Sequence, residues 1–325
     1  MIKDVFILLI GFIAIIKGAD IFVKGSSDTA KNLKVPSVII GLTIVALGTS
    51  APELAVSVSA ALQGSNEISV SNVVGSNIFN LLVVLGVCAM VKPLSVENVF
   101  VKRDIPISIG AAAIVLLLCL DYRTFRPTTA YFADSSAIAG NISRFIGLFI
   151  LLLFLLYIYL LIFEAQKNPE VPDDTDFLPL WKCVLFIIIG LAMIIIGGQA
   201  VVYSSKEIAQ MAGMTETLIG LTIVAVGTSL PELVTSIVAT KKGETGLAIG
   251  NVVGSNIFNM LFILGVSGAV HPISVNVASV VDMVVLIFTS LLVLMYSRTS
   301  NRLNRIEGCS LVLIYFIYIG YAIYR

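Results

Sequence analysis

Two glutamates sit where apolar runs should carry no charge. Glu53 ends GLTIVALGTSAPE (41–53), and Glu232 ends GLTIVAVGTSLPE (220–232). A carboxylate at membrane depth costs roughly 2.5–3.5 kcal/mol on insertion scales, so two in matched positions call for a compensating partner. Beside them stand the hydroxyls of Thr49 and Ser50, repeated as Thr228 and Ser229. Ser50 and Glu53 are three apart and share a helix face. Ser76 and Asn80 are four apart, as are Ser255 and Asn259, with Asn77 and Asn256 on a neighbouring stripe. Gly48 with Pro52, and Gly227 with Pro231, weaken the helix mid-run. Proline lacks a donor and clashes with the carbonyl four residues back, which predicts freed carbonyls around 46–48 and 225–227. The inventory is carboxylate, hydroxyl, amide oxygen and carbonyl, with no thiolate or imidazole. Hard oxygen donors suit Ca²⁺ and Na⁺ and argue against zinc or copper. Two carboxylates balance one Ca²⁺, or several Na⁺ in overlapping positions, and overlap makes the two ions mutually exclusive. That is the minimum an antiporter requires.

The elements that must position these groups are helices. The chain has 325 residues, 58% hydrophobic and 12% charged, with a mean hydropathy of +1.03. Soluble domains carry about 25% charged residues. The apolar runs are too long and too unbroken for barrel strands, so the class is all-α, polytopic and membrane-spanning. Hydropathy predicts ten spans: 4–23, 36–62, 68–91, 104–121, 143–163, 182–202, 215–240, 245–270, 275–296 and 306–324. The N-terminal run lacks a basic leader and a small-residue cleavage site, and reads as a retained first span. Net charge is zero, which gives no reason to expect nucleic acid.

The chain repeats itself. A shift of 179 positions aligns 11–96 with 190–275 without a gap; GLTIVALGTSAPEL matches its copy at 12 of 14 positions, and NVVGSNIFN (72–80) recurs unchanged at 251–259. This predicts a first five-helix repeat at 1–163 (its motif within 41–80), an acidic linker at 164–181, and a second repeat at 182–325 (motif within 220–259). Five is odd, so the second repeat crosses in the opposite sense, an inverted duplication with its site at the midplane. Thirteen Lys and Arg fall on one side of this layout and six on the other. The positive-inside rule then places both termini outside and the linker in the cytoplasm.

The remaining polar residues read as structural. Cys88, Cys119, Cys183 and Cys309 show no metal-ligand spacing. Lys17 and Asp20 are expected to pair locally, Asp282 to lie at the interface, and His271 to occupy an exchangeable polar position. Tyr315, Tyr318, Tyr321 and Tyr324 are expected to pack and to form an interfacial belt. Gly75 and Gly254 are expected to allow close helix approach.

GTSAPE and GTSLPE, each followed by GSNIFN in the next span, resemble the alpha repeats of the sodium/calcium exchanger family, within the calcium/cation antiporter superfamily. The resemblance covers both repeats and the ten-span layout. It implies four cation sites in a central diamond, with helices 1 and 6 sliding past the core to switch access. It implies that Glu53 and Glu232 are the central Ca²⁺ and Na⁺ carboxylates. Thr49, Ser50, Ser76, Thr228, Ser229 and Ser255 would be Na⁺ ligands, the carbonyls of Ala46 and Ala225 would serve the outlying positions, and Asn80 and Asn259 would flank the middle. Many relatives carry aspartate where this chain has Asn259, which speaks against potassium co-transport. The 16-residue connection Glu164 to Pro179 is too short for calcium-sensing domains.

The expectation is a non-enzymatic Ca²⁺/Na⁺ antiporter of a plasma or inner membrane. It would need no cofactor and no obligate protein partner, with Ca²⁺, Na⁺ and the bilayer as its partners. The rival readings are a H⁺/Ca²⁺ exchanger using the same glutamates, a cation channel, and an intramembrane hydrolase at Ser50 or Ser229 without a placed base.

Overall fold

The computed structural model describes residues 2–64, 66–121, 136–167, 177–211 and 225–324. The start of the second motif (220–224), most of the linker (168–176) and the first part of the expected seventh span (215–224) lie outside the described residues.

Within the described residues, the apolar runs form helices. α1 is Ile2–Leu33. α2 (Ser37–Thr49) and α3 (Ala51–Leu62) meet at a 50° bend. α4 starts as Asn66–Phe79 and continues through a π-helical turn at Asn80–Val84 into Leu85–Val91. α5 is Ile105–Cys119, entered through a π turn at Phe100–Asp104. α6 is Arg144–Lys167 and α7 is Leu180–Met211. α8 (Ala225–Thr228) and α9 (Leu230–Lys242) are separated by Ser229. α10 runs Thr245–Ile257, then a π turn at Phe258–Ile263, then Leu264–Val270. α11 is Val277–Ser300 and α12 is Arg305–Tyr324. Among the described residues, seven continuous helices are long and apolar enough to cross a bilayer, and the bent pair α2–α3 makes an eighth. This is an all-α membrane protein.

Two short antiparallel ribbons cap the helices. β1 (Leu94–Ser95) pairs with β4 (Arg302–Leu303), and β2 (Ile138–Ile142) pairs with β3 (Ile273–Asn276).

The packing falls into two parts. One apolar core joins α4, α5, α6, α10 and α11, with Phe100, Ile78, Leu82, Ile150 and Met283 fully enclosed. A second cluster joins α1 and α7 to α2 and α9 through Phe22, Ile40, Val45, Ile194 and Ala239. α1 and α7 each have 32 residues, so each is about 48 Å long at 1.5 Å per residue. They exceed the hydrocarbon thickness and must tilt or project beyond it, which explains why they outrun the spans expected at 4–23 and 182–202. Their contact is backbone to backbone. A Cβ on Gly18 would lie 2.8 Å from the Gly190 carbonyl oxygen, and one on Gly190 would lie 2.7 Å from that of Gly18.

Two expectations from the sequence change. Asp20 does not pair with Lys17; its carboxylate meets Lys242 at the end of α9 at 2.6 Å, and the same ammonium donates to the Asp20 carbonyl at 2.8 Å. A tertiary partner wins over the helical neighbour. Asp282 is 5% exposed and so is buried within the bundle.

Candidate functional site

The chain breaks its helices at two serines. Ser50 has φ −83° and ψ 10°, and Ser229 has φ −92° and ψ 7°, both outside helical geometry. Proline at the second position of each following helix, Pro52 or Pro231, suits a helix start and places Glu53 or Glu232 in the first turn. Each break therefore sets a helix C-terminal end, whose carbonyls favour positive charge, beside a glutamate.

The carboxylates are held across the molecule rather than within their own helices. Ser50 donates to Glu232 Oε1 at 2.8 Å, and Ser229 donates to Glu53 Oε1 at 3.1 Å. Ser76 from α4 also donates to Glu53 Oε1, at 3.5 Å, and Ser229 lies 3.1 Å from Ser76. Ser255 Oγ is buried with no hydrogen-bond partner among the described residues. Thr49, Ser50, Glu53, Asn80, Ser229, Glu232, Ser255 and Asn259 are wholly enclosed, and Ser76 nearly so. Thr228 is half-buried at the end of α8. Among the described residues neither glutamate pairs with Lys, Arg or His, and no three His, Cys, Asp or Glu side chains come together.

Four asparagines form an open ring at the meeting of α4 and α10, linked in the order Asn259, Asn77, Asn256, Asn80. Asn77 Nδ2 donates to the Asn256 carbonyl at 3.1 Å, and Asn256 Nδ2 returns to the Asn77 carbonyl at 3.2 Å. Those bonds fix both amides, so their side-chain oxygens turn to the next pair. Asn80 Nδ2 donates to Asn256 Oδ1 at 3.2 Å, and Asn259 Nδ2 donates to Asn77 Oδ1 at 2.9 Å. The free ends of the ring are Asn80 Oδ1 and Asn259 Oδ1. Both are buried with no donor among the described residues, as are Glu53 Oε2 and Glu232 Oε2. The π turns of α4 and α10 open at this level, at Asn80–Val84 and Phe258–Ile263. Such turns frequently mark functional sites.

Spacing alone missed the groups behind the glutamates. Asn72 Nδ2 donates to Ser57 Oγ at 2.9 Å and to the Glu53 carbonyl at 3.3 Å. Asn251 Nδ2 does the same for Ser236 Oγ at 2.9 Å and the Glu232 carbonyl at 3.4 Å. Thr49 also donates to Asn251 Oδ1, at 2.9 Å. The signal was present: Asn72 and Asn251 open the nine-residue identity. The Ala46 carbonyl is not freed by the proline. It accepts the Ser50 amide at 3.0 Å and Thr49 Oγ1 at 3.4 Å, because the helix holds its register until Ser50; the carbonyl opposite Pro52 is that of Gly48. In the second half the Ser229 amide goes to Val226 at 3.2 Å, one residue past Ala225. Gly254 does permit close approach, since a Cβ there would lie 2.7 Å from Leu42 Cα, whereas no described residue comes within 4 Å of one on Gly75.

Residues 3–163 and 182–324 match the model of the family described as sodium/calcium exchanger protein. CaxA of Alkalimonas amylolytica is 38% identical over 99% of this chain and 98% of its own. The sodium/calcium exchanger MaX1 of Methanosarcina acetivorans is 34% identical over 95% of each chain. A solved structure of the sodium-calcium exchanger NCX_Mj superposes with a TM-score of 0.82 at 29% identity, covering 99% of both. The chain belongs to the sodium/calcium exchanger family.

Proposed function

We propose that this member of the sodium/calcium exchanger family moves Ca²⁺ out of the cell in exchange for Na⁺, by alternating access to one buried site shared by Glu53 and Glu232. The observation that carries the reading is the set of four buried acceptors without donors: Glu53 Oε2, Glu232 Oε2, Asn80 Oδ1 and Asn259 Oδ1. A buried acceptor left unpaired costs about 1–3 kcal/mol, and more when charged. A cation among them removes that cost at all four. Thr49, Ser50, Ser76, Thr228, Ser229 and Ser255, with the Ala225 carbonyl, complete an oxygen set suited to Ca²⁺ and Na⁺; the Ala46 carbonyl already accepts the Ser50 amide and Thr49 Oγ1 and is left out of it. Two carboxylates match one Ca²⁺ or two Na⁺ in charge, so each cargo excludes the other. The names borne by MaX1 and NCX_Mj support Na⁺ over H⁺ as the coupling ion.

The architecture proposed for this exchange is ten spans in two inverted five-helix repeats, 1–163 and 182–325, joined by the linker 164–181. Reciprocal contacts support it. Ser50 to Glu232 recurs as Ser229 to Glu53, and Gly11 against Gly197 recurs as Gly18 against Gly190. A contact that returns with the partners' roles exchanged is the mark of a two-fold relation. Ribbon pairing supports the count, because two loops that pair must lie on one side of the membrane. In a ten-span chain, four spans separate the loops carrying β2 and β3, and six separate those carrying β1 and β4. The bias of Lys and Arg supports external termini in a plasma or inner membrane.

The test is uptake of radiolabelled Ca²⁺ into proteoliposomes loaded in turn with Na⁺, with K⁺ or with a proton gradient. Uptake that requires internal Na⁺ is the expected result. Uptake driven by a pH step alone would reassign the counter-ion to H⁺, and current without obligatory exchange would make the protein a channel.

A further inference from the structure

One residue ties the two halves together behind the second glutamate. Asn251 on α10 is wholly enclosed and bonds three groups. Its Nδ2 donates to Ser236 Oγ at 2.9 Å and to the Glu232 carbonyl at 3.4 Å. Its Oδ1 accepts from Thr49 Oγ1 at 2.9 Å, across 202 positions. The amide cannot be turned over. The reverse orientation would set Oδ1 against the Glu232 carbonyl, and two acceptors do not bond. Oδ1 is therefore fixed toward Thr49.

Thr49 has one hydroxyl proton and two lone pairs. Three acceptors lie around that hydroxyl: Asn251 Oδ1 at 2.9 Å, the Val45 carbonyl at 3.1 Å and the Ala46 carbonyl at 3.4 Å. A helical threonine ordinarily donates back to its own helix. Here the nearest acceptor is an amide of the other half. With its proton committed, Thr49 can meet an ion only as an acceptor. The group belongs to Glu232: Ser50, the next residue, donates to Glu232 Oε1, and Asn251 holds the Glu232 carbonyl. The matching group beside Glu53 is less enclosed. Asn72 makes the same two bonds to Ser57 and the Glu53 carbonyl. However, Asn72 and Thr228 are only half-buried, whereas Asn251 and Thr49 are wholly buried.

We propose that Asn251 is a positioning residue selective for Na⁺: it holds the Thr49 hydroxyl as an acceptor for the Na⁺ that lies toward Glu232, and Ca²⁺ depends on it far less. The proposal rests on the Na⁺ and Ca²⁺ reading of the site given above. The selectivity follows from charge. One Ca²⁺ satisfies both carboxylates and draws on the central acceptors Glu53 Oε2, Glu232 Oε2, Asn80 Oδ1 and Asn259 Oδ1. Thr49 is not among them. Two Na⁺ repel each other and separate, one toward each glutamate. The ion displaced toward Glu232 leaves part of the central set and takes neighbouring oxygens in its place. Thr49 is the one that Asn251 controls.

Stabilisation of the purified full-length protein by each ion tests this without transport. Melting temperature is followed against Na⁺ and, separately, against Ca²⁺, with choline holding ionic strength constant. In wild type both ions should raise it. Asn251→Leu should raise the half-saturating Na⁺ at least about tenfold, the usual cost of losing a group that orients a ligand, and the half-saturating Ca²⁺ by less than about threefold. Asn251→Ala replaces it if the leucine variant does not fold. Thr49→Val should give the same selective loss. The double variant should be no worse than either alone, because both changes remove one unit. A rise shared equally by Na⁺ and Ca²⁺ would make Asn251 a general support for α9 and overturn the proposal. So would additive losses in the double variant, or an unchanged Na⁺ response in Asn251→Leu. A wild type stabilised by Ca²⁺ but not by Na⁺ would instead sink the Na⁺ reading of the site, and this proposal with it, before any variant is compared.

Discussion

Ser229 reaches Glu53 from 176 positions away and donates its hydroxyl to the carboxylate at 3.1 Å. The glutamate of one half is thus oriented by the serine at the break of the other. A hydrogen bond to a charged group contributes about 1.5–3 kcal/mol net. Ser229→Ala should therefore raise the half-saturating Ca²⁺ of Na⁺-driven uptake by about tenfold or more, at 1.4 kcal/mol per decade. Ser229→Thr keeps the hydroxyl and should recover most of the loss. An unchanged half-saturation in the alanine variant would make the contact incidental.

Replacing either carboxylate separates transport from folding. Glu53→Gln and Glu232→Gln keep the shape and remove a buried charge that lacks a basic partner. Na⁺-driven Ca²⁺ uptake should fall to background in both. Thermal stability without cations should hold or rise, since an uncompensated buried charge is costly. Wild type should be stabilised by Ca²⁺ by about 2.7 kcal/mol at one hundred times the dissociation constant, and the glutamine variants should lose that response. Melting curves with and without Ca²⁺ measure this, and full uptake by both variants would end the assignment.

The sequence declared the repeat, the two glutamates and the hydroxyls beside them, because polar identities inside apolar runs are rare enough to stand out. It also located the breaks, since Pro52 and Pro231 leave few local alternatives. It did not disclose partners. Helical spacing relates Ser50 to Glu53, yet Ser50 serves Glu232, and no intrahelical rule reaches across 182 positions. Lys17 and Asp20 failed for the same reason: the better partner, Lys242, lies on another helix. The asparagine ring was half legible. Asn77 and Asn256 were visible as a stripe, but their role in turning Asn80 and Asn259 depends on carbonyls of the opposing helix.

That ring yields its own expectation. Asn77 and Asn256 orient the amides of Asn259 and Asn80, and their own side-chain oxygens are spent in doing so. Groups that orient ligands typically cost 10–100-fold in affinity when removed. Asn256→Leu should therefore weaken apparent Ca²⁺ affinity by at least about tenfold while leaving the maximal rate within a few-fold. A loss confined to the maximal rate, with affinity intact, would place the ring in the conformational step instead.

Under the proposed assignment, protons and metal ions compete for the same two carboxylates, which gives a signed dependence on pH. Acidifying the Ca²⁺-facing side should raise the half-saturating Ca²⁺, and saturating Ca²⁺ should restore the rate. A maximal rate that falls with acid and does not recover at high Ca²⁺ would show a group outside the site in control. Initial uptake rates over a matrix of pH and Ca²⁺ distinguish the two.

The pair of long helices offers a test in which two forces oppose each other. Alanine is a better helix former than glycine by about 1 kcal/mol, so Gly→Ala on an open face should stabilise. Gly110 in α5 has no described neighbour within 4 Å of a built Cβ, and Gly110→Ala should raise the melting temperature modestly. At Gly18 the same Cβ would sit 2.8 Å from the Gly190 carbonyl and 2.7 Å from Met193 Cβ. Overpacking typically costs 1–3 kcal/mol, which exceeds the gain in propensity. Gly18→Ala should therefore lower the melting temperature despite the better helix former. It should also slow Ca²⁺ uptake, because α1 and α7 would be forced apart where they touch backbone to backbone. Equal stabilisation by both alanines would show that α1 and α7 do not meet at Gly18 and Gly190.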